Sequence, residues 1–413
     1  MVSQGTHRRV PPARNFSIVW TGQTVSLFGD YVAYLTVPLF LAELSQRAFA
    51  FGILSAAENL PTLIFGFVGA TLLDRYRLRW IIVSNELARA AAFFSLAIMV
   101  RGGTFTTWGL FAFAFIAGSL AASFNASLQA FIPSIAAGLG LTRANGRLSL
   151  SQQIAFLLGP LTGGLIVKGA GFSVAFAFNG MTFLVSALSF MYLSRLPKRA
   201  LIPGDHFFEN LREGWAHLWS EHRIRLTTLG GGLANFVTGF IEATLVLIGA
   251  QLLGTDDPAR LGIFFVGMGA GGIIGAISVS KVIGRIQIGR TYVFGFAIFG
   301  LGMFGLTWSS NLLVVTSILA VGFAGLVWAN VSLLTMRQLY TPQHLLGRVS
   351  AAGRGLAWST VPFGALFGTA LADRIGLLTI VRLGPVLIVL FAVYLSRTVV
   401  WSALNVAEYD QPA

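Results

Sequence analysis

The chain has 413 residues, with 28 Lys and Arg against 15 Asp and Glu and a formal charge of +13. Only 10% of its residues are charged while 55% are hydrophobic, and its mean hydropathy is +0.77. A soluble domain charges about a quarter of its residues, so this chain cannot clothe a water-facing surface, and the nucleic-acid binding that a basic total first suggests is excluded. The composition is that of a polytopic membrane protein with lipid as its solvent.

Cysteine is absent, which removes disulfides, thiolate nucleophiles and Cys-containing zinc sites. The histidines (His7, His206, His217, His222 and His344) all fall outside the apolar runs without metal-ligand spacing. No metal or other cofactor is expected.

Crossing the hydrocarbon core takes about 20 mostly apolar residues. Twelve runs qualify, beginning near Phe16, Phe49, Trp80, Thr106, Leu150, Gly171, Leu226, Leu261, Thr291, Asn311, Ser350 and Leu377. The pattern predicts an all-α integral membrane protein of two six-helix bundles, residues 1–193 and 226–413, joined by a linker over 194–225. The first run follows Arg8, Arg9 and Arg14, exceeds a signal-peptide core in length, and reads as a retained span.

Span one carries Asp30, about 21 Å past Phe16 at 1.5 Å per residue. Span two carries Glu58, beside Asn59 and Pro61. Span three holds Glu86 and Arg89, one turn apart, which reads as a self-neutralising pair. Span five contains Gly159, Pro160, Gly163 and Gly164; glycines permit close helix approach and the proline removes a backbone bond, so this helix can kink. In the linker, Phe207, Phe208, Leu211, Trp215 and Leu218 recur at helical spacing between charged residues, predicting an amphipathic helix resting on the bilayer surface.

Span seven places Asn235 and Glu242 seven residues apart on one helix face. In span eight, Gly267, Gly269 and Gly272 satisfy a nucleotide-binding glycine pattern, but no strand precedes them. Gly267, Gly271 and Gly275 are spaced instead for packing against a neighbouring helix. Arg354 in span eleven either snorkels to the surface or pairs with a buried acid.

Carboxylates at membrane depth are functional candidates by default. An apolar cavity disfavours the ionised form, and with no histidine in any span Asp30, Glu58 and Glu242 are the candidate proton carriers, Asn235 lining the same cavity. The other reading makes them permanently protonated or hydrogen-bonded structural acids.

Basic residues collect on the cytoplasmic side. Most of the 28 fall in loops on the side of the termini; Arg47, Arg101, Lys168, Arg260, Arg374 and Arg382 fall on the other. Both termini are therefore expected in the cytoplasm, with the chain multi-pass in the plasma (inner) membrane. The halves also echo each other. Gly66, Gly69 and Ala70 recur as Gly272, Gly275 and Ala276, and in that register Arg75 meets Lys281 and Arg79 meets Arg285. Two copies of one orientation imply an axis along the membrane normal.

In these features the chain resembles the major facilitator superfamily, and within it the branch of enterobactin exporters and macrolide-efflux proteins. The likeness rests on Trp20 to Asp30 in span one, Arg212 to Trp219 in the linker and Leu346 to Ser350 before span eleven. Asp74, Arg75 and Arg79 match the superfamily's loop signature, although Ala70 replaces its first glycine and Arg77 and Leu78 replace its later Gly-Arg. An aspartate at a helix end beside arginines can lock and release a cytoplasmic gate; the loop also reads as a plain positive-inside segment. The resemblance further implies that Gly159, Pro160, Gly163 and Gly164 form the element associated with antiport.

The expected protein is a monomeric secondary transporter, not an enzyme, that exports a small amphipathic molecule, drug-like or a secondary metabolite, against protons, by alternating access. No phosphate-binding loop for ATP is present. A lipid or lysolipid flippase, or a non-transporting receptor or scaffold of the same fold, are the alternatives.

Overall fold

In lipid no water satisfies free N–H and C=O groups, so a spanning chain must close its backbone hydrogen bonds within its own helices. The computed structural model describes residues 12–73, 78–136, 139–193 and 207–403, and among them no strand occurs. The helices are α1 (Pro12–Leu44), α2 (Ala48–Leu73), α3 (Leu78–Arg101), α4 (Thr107–Ile135), α5 (Leu141–Met191), α6 (Phe207–Ser220), α7 (His222–Leu253), α8 (Pro258–Ile286), α9 (Ile288–Gly305), α10 (Leu312–Leu339), α11 (Leu346–Ile375) and α12 (Leu377–Leu395).

α5 contains two of the predicted spans. Its 51 residues would make a straight rod of about 76 Å, against a hydrocarbon core of about 30 Å. The break comes at Gly171, whose φ of 83° lies in the left-handed region that glycine alone enters freely. Ten of the helices, α5 among them, are long and apolar enough to cross a membrane. α2, with Glu58 as the one charged residue in its 26, and the second arm of α5 bring the spans to twelve.

Helices begin sooner than the apolar runs do where the first turns are polar. α5 starts at Leu141, ahead of Arg143 and Arg147, and α11 at Leu346, ahead of Arg348, because helix propensity continues after hydropathy stops. Several starts are capped by side chains that accept the free N–H groups of the first turn. Thr106 accepts from Gly109 N, Asn311 from Leu313 N and Val314 N, and Asp257 from Ala259 N.

α1 to α5 close around two apolar clusters, one built on Phe51, Phe93, Phe176 and Phe183 and one on Phe16, Phe124, Phe131 and Phe190. α7 to α12 close around a larger cluster that includes Tyr292, Phe264 and Phe299 and also takes in Leu35 and Leu39 of α1. The glycines of α8 serve two faces. A Cβ on Gly267, Gly271 or Gly275 would meet carbonyl oxygens of α10 at 2.5, 2.2 and 2.8 Å, so this row packs against α10. Gly262 and Gly269 face α5, where a Cβ would come within 2.9 Å of Pro160 O and 2.6 Å of Leu157 Cα.

The face holding the start of α1 is called here the terminal face, and its opposite the far face. Along α5 and α8 the seam is tight from the far face, where Lys168 Nζ donates to Asp257 Oδ2 at 2.7 Å, to about mid-depth. Towards the terminal face, a Cβ on Gly146 of α5 or Gly284 of α8 would meet nothing within 4 Å. The second seam is also fastened at the far face. Asp373 at the end of α11 accepts from Ala48 N at 2.8 Å and Phe49 N at 3.2 Å, capping α2 and setting its charge against the positive end of that helix dipole.

The linker helix forms as the spacing predicts, but it does not lie free on the bilayer. Leu218 is fully buried in a cluster with Ile224, Val349 and Ala352, against which Trp215 packs. Glu213 pairs with Arg348. Gly214 makes this docking possible, since a Cβ there would lie 2.6 Å from Arg348 O.

Substitution Gly164→Leu tests the seam, because even a Cβ there would lie 2.2 Å from Pro258 O. Overpacking of this kind costs about 1–3 kcal/mol. The expected outcome is a lower melting temperature in detergent, with Gly169→Leu, beside open space, leaving it unchanged.

Candidate functional site

α1 is the axis of the site because its successive residues face different partners. Asp30, one-third exposed, accepts from Arg89 Nη2 of α3 at 2.5 Å. Arg89 is nearly fully buried, lies 4.0 Å from the ring centre of Phe183 and 5.5 Å from that of Phe124, and sits 3.9 Å from Glu86 Oε1. Aromatic faces and the Asp30 carboxylate together replace the water the guanidinium has lost.

The pair expected in span three is present at ion-pair distance, and Asp30 joins it. Arg89 makes its hydrogen bond to Asp30, and its distance to Glu86 is too long for one. The local i,i+3 partner loses to a carboxylate 59 positions away in sequence, because the fold packs α1 and α3 on the same arm of α5. Asp30 is thus an ion-paired acid in this conformation.

Tyr31, the next residue, turns to the seam. Its hydroxyl accepts from Gln152 Nε2 at 3.3 Å, and its ring lies 5.2 Å from Phe156 and 6.2 Å from Tyr34. Tyr34 meets Phe265 of α8 at 6.0 Å, so the aromatic cluster bridges the two helix groups. Tyr31 lies within Coulombic range of Asp30 and Glu242, and Tyr34 of Glu58 and Glu242. Each of the three acids, from α1, α2 and α7, thus lies within electrostatic reach of at least one of the two tyrosines.

Glu58 is exposed and Glu242 half-buried, and among the described residues neither forms an ion pair. Glu58 is set where α2 crosses α4, its carbonyl oxygen 2.4 Å from where a Cβ on Gly118 would stand. Asn235 does not share that chamber chemistry. Its Nδ2 donates to Ala357 O at 2.8 Å, fastening α7 to α11.

Gly159, Pro160, Gly163 and Gly164 lie at the junction of three helices. A Cβ on Gly159 would come within 2.5 Å of Tyr31 Cβ, and one on Gly163 within 2.9 Å of Val32 O, both on α1. Gly164 faces α8.

Asp74 and Arg75 of the gate motif lie outside the described residues. Arg79 donates from Nη1 to Leu193 O at 2.8 Å and from Nη2 to Met191 O, bracing the start of α3 against the end of α5. Arg354 is exposed and, among the described residues, forms no ion pair with an acid; it lies within electrostatic range of Arg337. Arg337 itself departs from its expected place in a surface loop. It is 3% exposed and donates to Thr228 Oγ1 at 3.3 Å, because α10 continues past the apolar run to Leu339.

Tyr31, Tyr34 and Phe156 were not singled out by sequence reasoning. The available signal was the run of polar and aromatic residues Asp30, Tyr31 and Tyr34 inside an apolar span. A small crevice of about 170 Å³ between α2, α6 and α11, lined by Leu63, Trp215 and Ala351 among others, contains none of the acids.

Comparison with known proteins agrees with this architecture. The family model described as Major Facilitator Superfamily matches residues 19–362. The chain belongs to the Major Facilitator Superfamily. It is 24% identical to Macrolide efflux protein A of Streptococcus pyogenes over 87% of its own length and 90% of that protein's. It is 25% identical to Multidrug efflux pump Tap of Mycobacterium tuberculosis, covering 84% of this chain and 85% of that one. Among solved structures, a bacterial homologue of the iron transporter ferroportin, crystallised in an inward-facing state, superposes with a TM-score of 0.73 at 15% identity. That match covers 93% of this chain and 99% of the other, and it supports the fold alone.

Two predictions come from these contacts. Removing one member of a buried ion pair costs about 3–5 kcal/mol, so Arg89→Met is expected to lower the melting temperature more than Arg89→Lys does. At the far face, the hydrogen bond from Lys168 and that from the Ala259 backbone hold the Asp257 carboxyl below its ordinary range. With the folded value depressed, this latch contributes at neutral pH and is lost as pH falls through that lowered value. A spin-label distance across the far ends of α5 and α8 should widen in acid in the wild type and show no acid-dependent widening in Asp257→Asn.

Proposed function

We propose that this superfamily member is a secondary active exporter of small amphipathic molecules, drug-like or secondary metabolites, driven by proton entry across the plasma membrane. The observation that carries the reading is the set of three carboxylates within electrostatic reach of Tyr31 or Tyr34 at the seam between the helix groups. Acids within a span are costly unless used, and an aromatic chamber with few fixed charges suits an amphipathic molecule. The efflux named in both curated relatives supports the direction of transport.

In this reading residues 1–193 and 226–413 rock against each other to expose the chamber alternately, tethered by 194–225. The terminal face is cytoplasmic, with both termini there, as the distribution of Lys and Arg favours. The polar contacts that fasten the seam at the far face favour reading this conformation as the cytoplasm-open state of a monomer in lipid. Closing that face would fall to Asp74, Arg75 and Arg79.

Everted vesicles test the coupling. Under an imposed pH gradient, accumulation of a fluorescent amphipathic dye is expected in the wild type and lost or severely reduced in Glu58→Gln, Glu242→Gln and Asp30→Asn. Equal accumulation by all four proteins would overturn the proton-carrier role of these acids.

A further inference from the structure

The charge cluster inside α1, α3 and α5 contains two carboxylates and one guanidinium. Arg89 is committed to Asp30 at 2.5 Å. Glu86 is fully buried and neither of its oxygens has a hydrogen-bond partner. Against its carboxyl lie the buried hydroxyls of Ser26 of α1 and Ser186 of α5, within reach of it.

No second cation is available to balance Glu86. Its own helix offers Arg89, and α1 offers Asp30, an acid, and Ser26. The arm of α5 over residues 172–191 offers Ser186 and Phe183, and carries no titratable residue. α4, over 107–135, carries none either. With Asp30 and Glu86 both ionised, two carboxylates would share one guanidinium and leave the buried cluster with a net negative charge, which a protein interior does not tolerate. A carboxylic acid there is neutral, and its O–H has a hydroxyl oxygen in reach to donate to.

We propose that Glu86 carries the transported proton in this conformation, and that Arg89 moves between Asp30 and Glu86 to load and unload it. The exchange is balanced. The ion pair of Arg89 with Asp30 breaks, Arg89 pairs with Glu86, the O–H bond of Glu86 breaks, and the proton forms an O–H bond on Asp30. Total charge is unchanged. Asp30, one-third exposed, is the member that reaches the chamber, so the proton leaves from it. The proposal rests on the proton-coupled reading above and moves the buried store from the exposed acids to Glu86.

Infrared difference spectroscopy on the purified full chain in lipid at neutral pH reads carboxyl protonation without transport. Relative to wild type, E86Q should lose one protonated-carboxyl C=O band. D30N should lose the same band, because Arg89, freed of its partner, takes Glu86 and expels the proton. No band lost in E86Q would show Glu86 ionised and overturn the proposal. A band lost in E86Q but kept in D30N would show a permanently protonated structural acid and overturn the exchange. Should E86Q not fold, Glu86→Asp serves: the band shifts in frequency if it belongs to position 86, and an unshifted band overturns the assignment. Dye transport by the wild type under a pH gradient, run on the same preparation, separates the two readings. Gradient-independent transport with a Glu86 band that D30N removes would overturn proton coupling alone, whereas gradient-driven transport without that band would overturn the Glu86 store alone.

Discussion

An ionised side chain in a bilayer has no solvent to return to, and this cost governs where the chain places its charges. Charge is kept to 10% of residues. Where it must enter the spans, it is either surrounded by compensating groups, as Arg89 is by Asp30, Phe124 and Phe183, or left exposed, as Glu58 is. Uncompensated burial would cost several kcal/mol per ion, a large share of the 5–15 kcal/mol by which a domain is stable.

The same cost explains the fastening of the far face. Asp257 caps the start of α8, and Asp373, near the end of α11, reaches the start of α2; at both starts backbone N–H groups and the helix dipole favour a carboxylate. Asp373 reaches α2 from α11, and Asp257 binds Lys168 of α5. Each crosses between the helix groups with polar contacts that water can replace. By contrast, the mid-depth seam uses glycines that water cannot substitute, since Gly262 and Gly269 bring α8 onto the backbone of α5. A seam with an exchangeable end and a tight middle is suited to pivoting about its centre.

Much of this was legible in the sequence, for physical reasons that also mark the limits. Lipid forces long apolar runs and confines basic residues to one side, so the spans and the amphipathic spacing of Trp215 and Leu218 could be read directly, whereas the kink in α5 was expected at Pro160 and falls at Gly171. Partners could not. Glu86 and Arg89 look self-sufficient at three residues apart, yet only the packing of α1 against α5 shows that Asp30 claims the guanidinium. Arg337 looked like a loop residue because hydropathy ends before its helix does. Asn235 shares a helix face with Glu242, but close packing of α7 on α11 through Gly239 and Gly364 turns it into a fastening between helices.

The chamber and the ion cluster are one residue apart. Asp30 points to Arg89 within the first helix group, while Tyr31 points to the seam, where Gly159 lies against its Cβ and backbone. α5 cannot shift on α1 at that level without moving Tyr31, and a helix rigid enough to carry that shift moves Asp30 with it. A displacement of about 1 Å is enough to break a hydrogen bond made at 2.5 Å. Motion at Gly159 and Gly163 and the choice of partner by Arg89 are therefore mechanically linked through α1, and no separate relay between them is required.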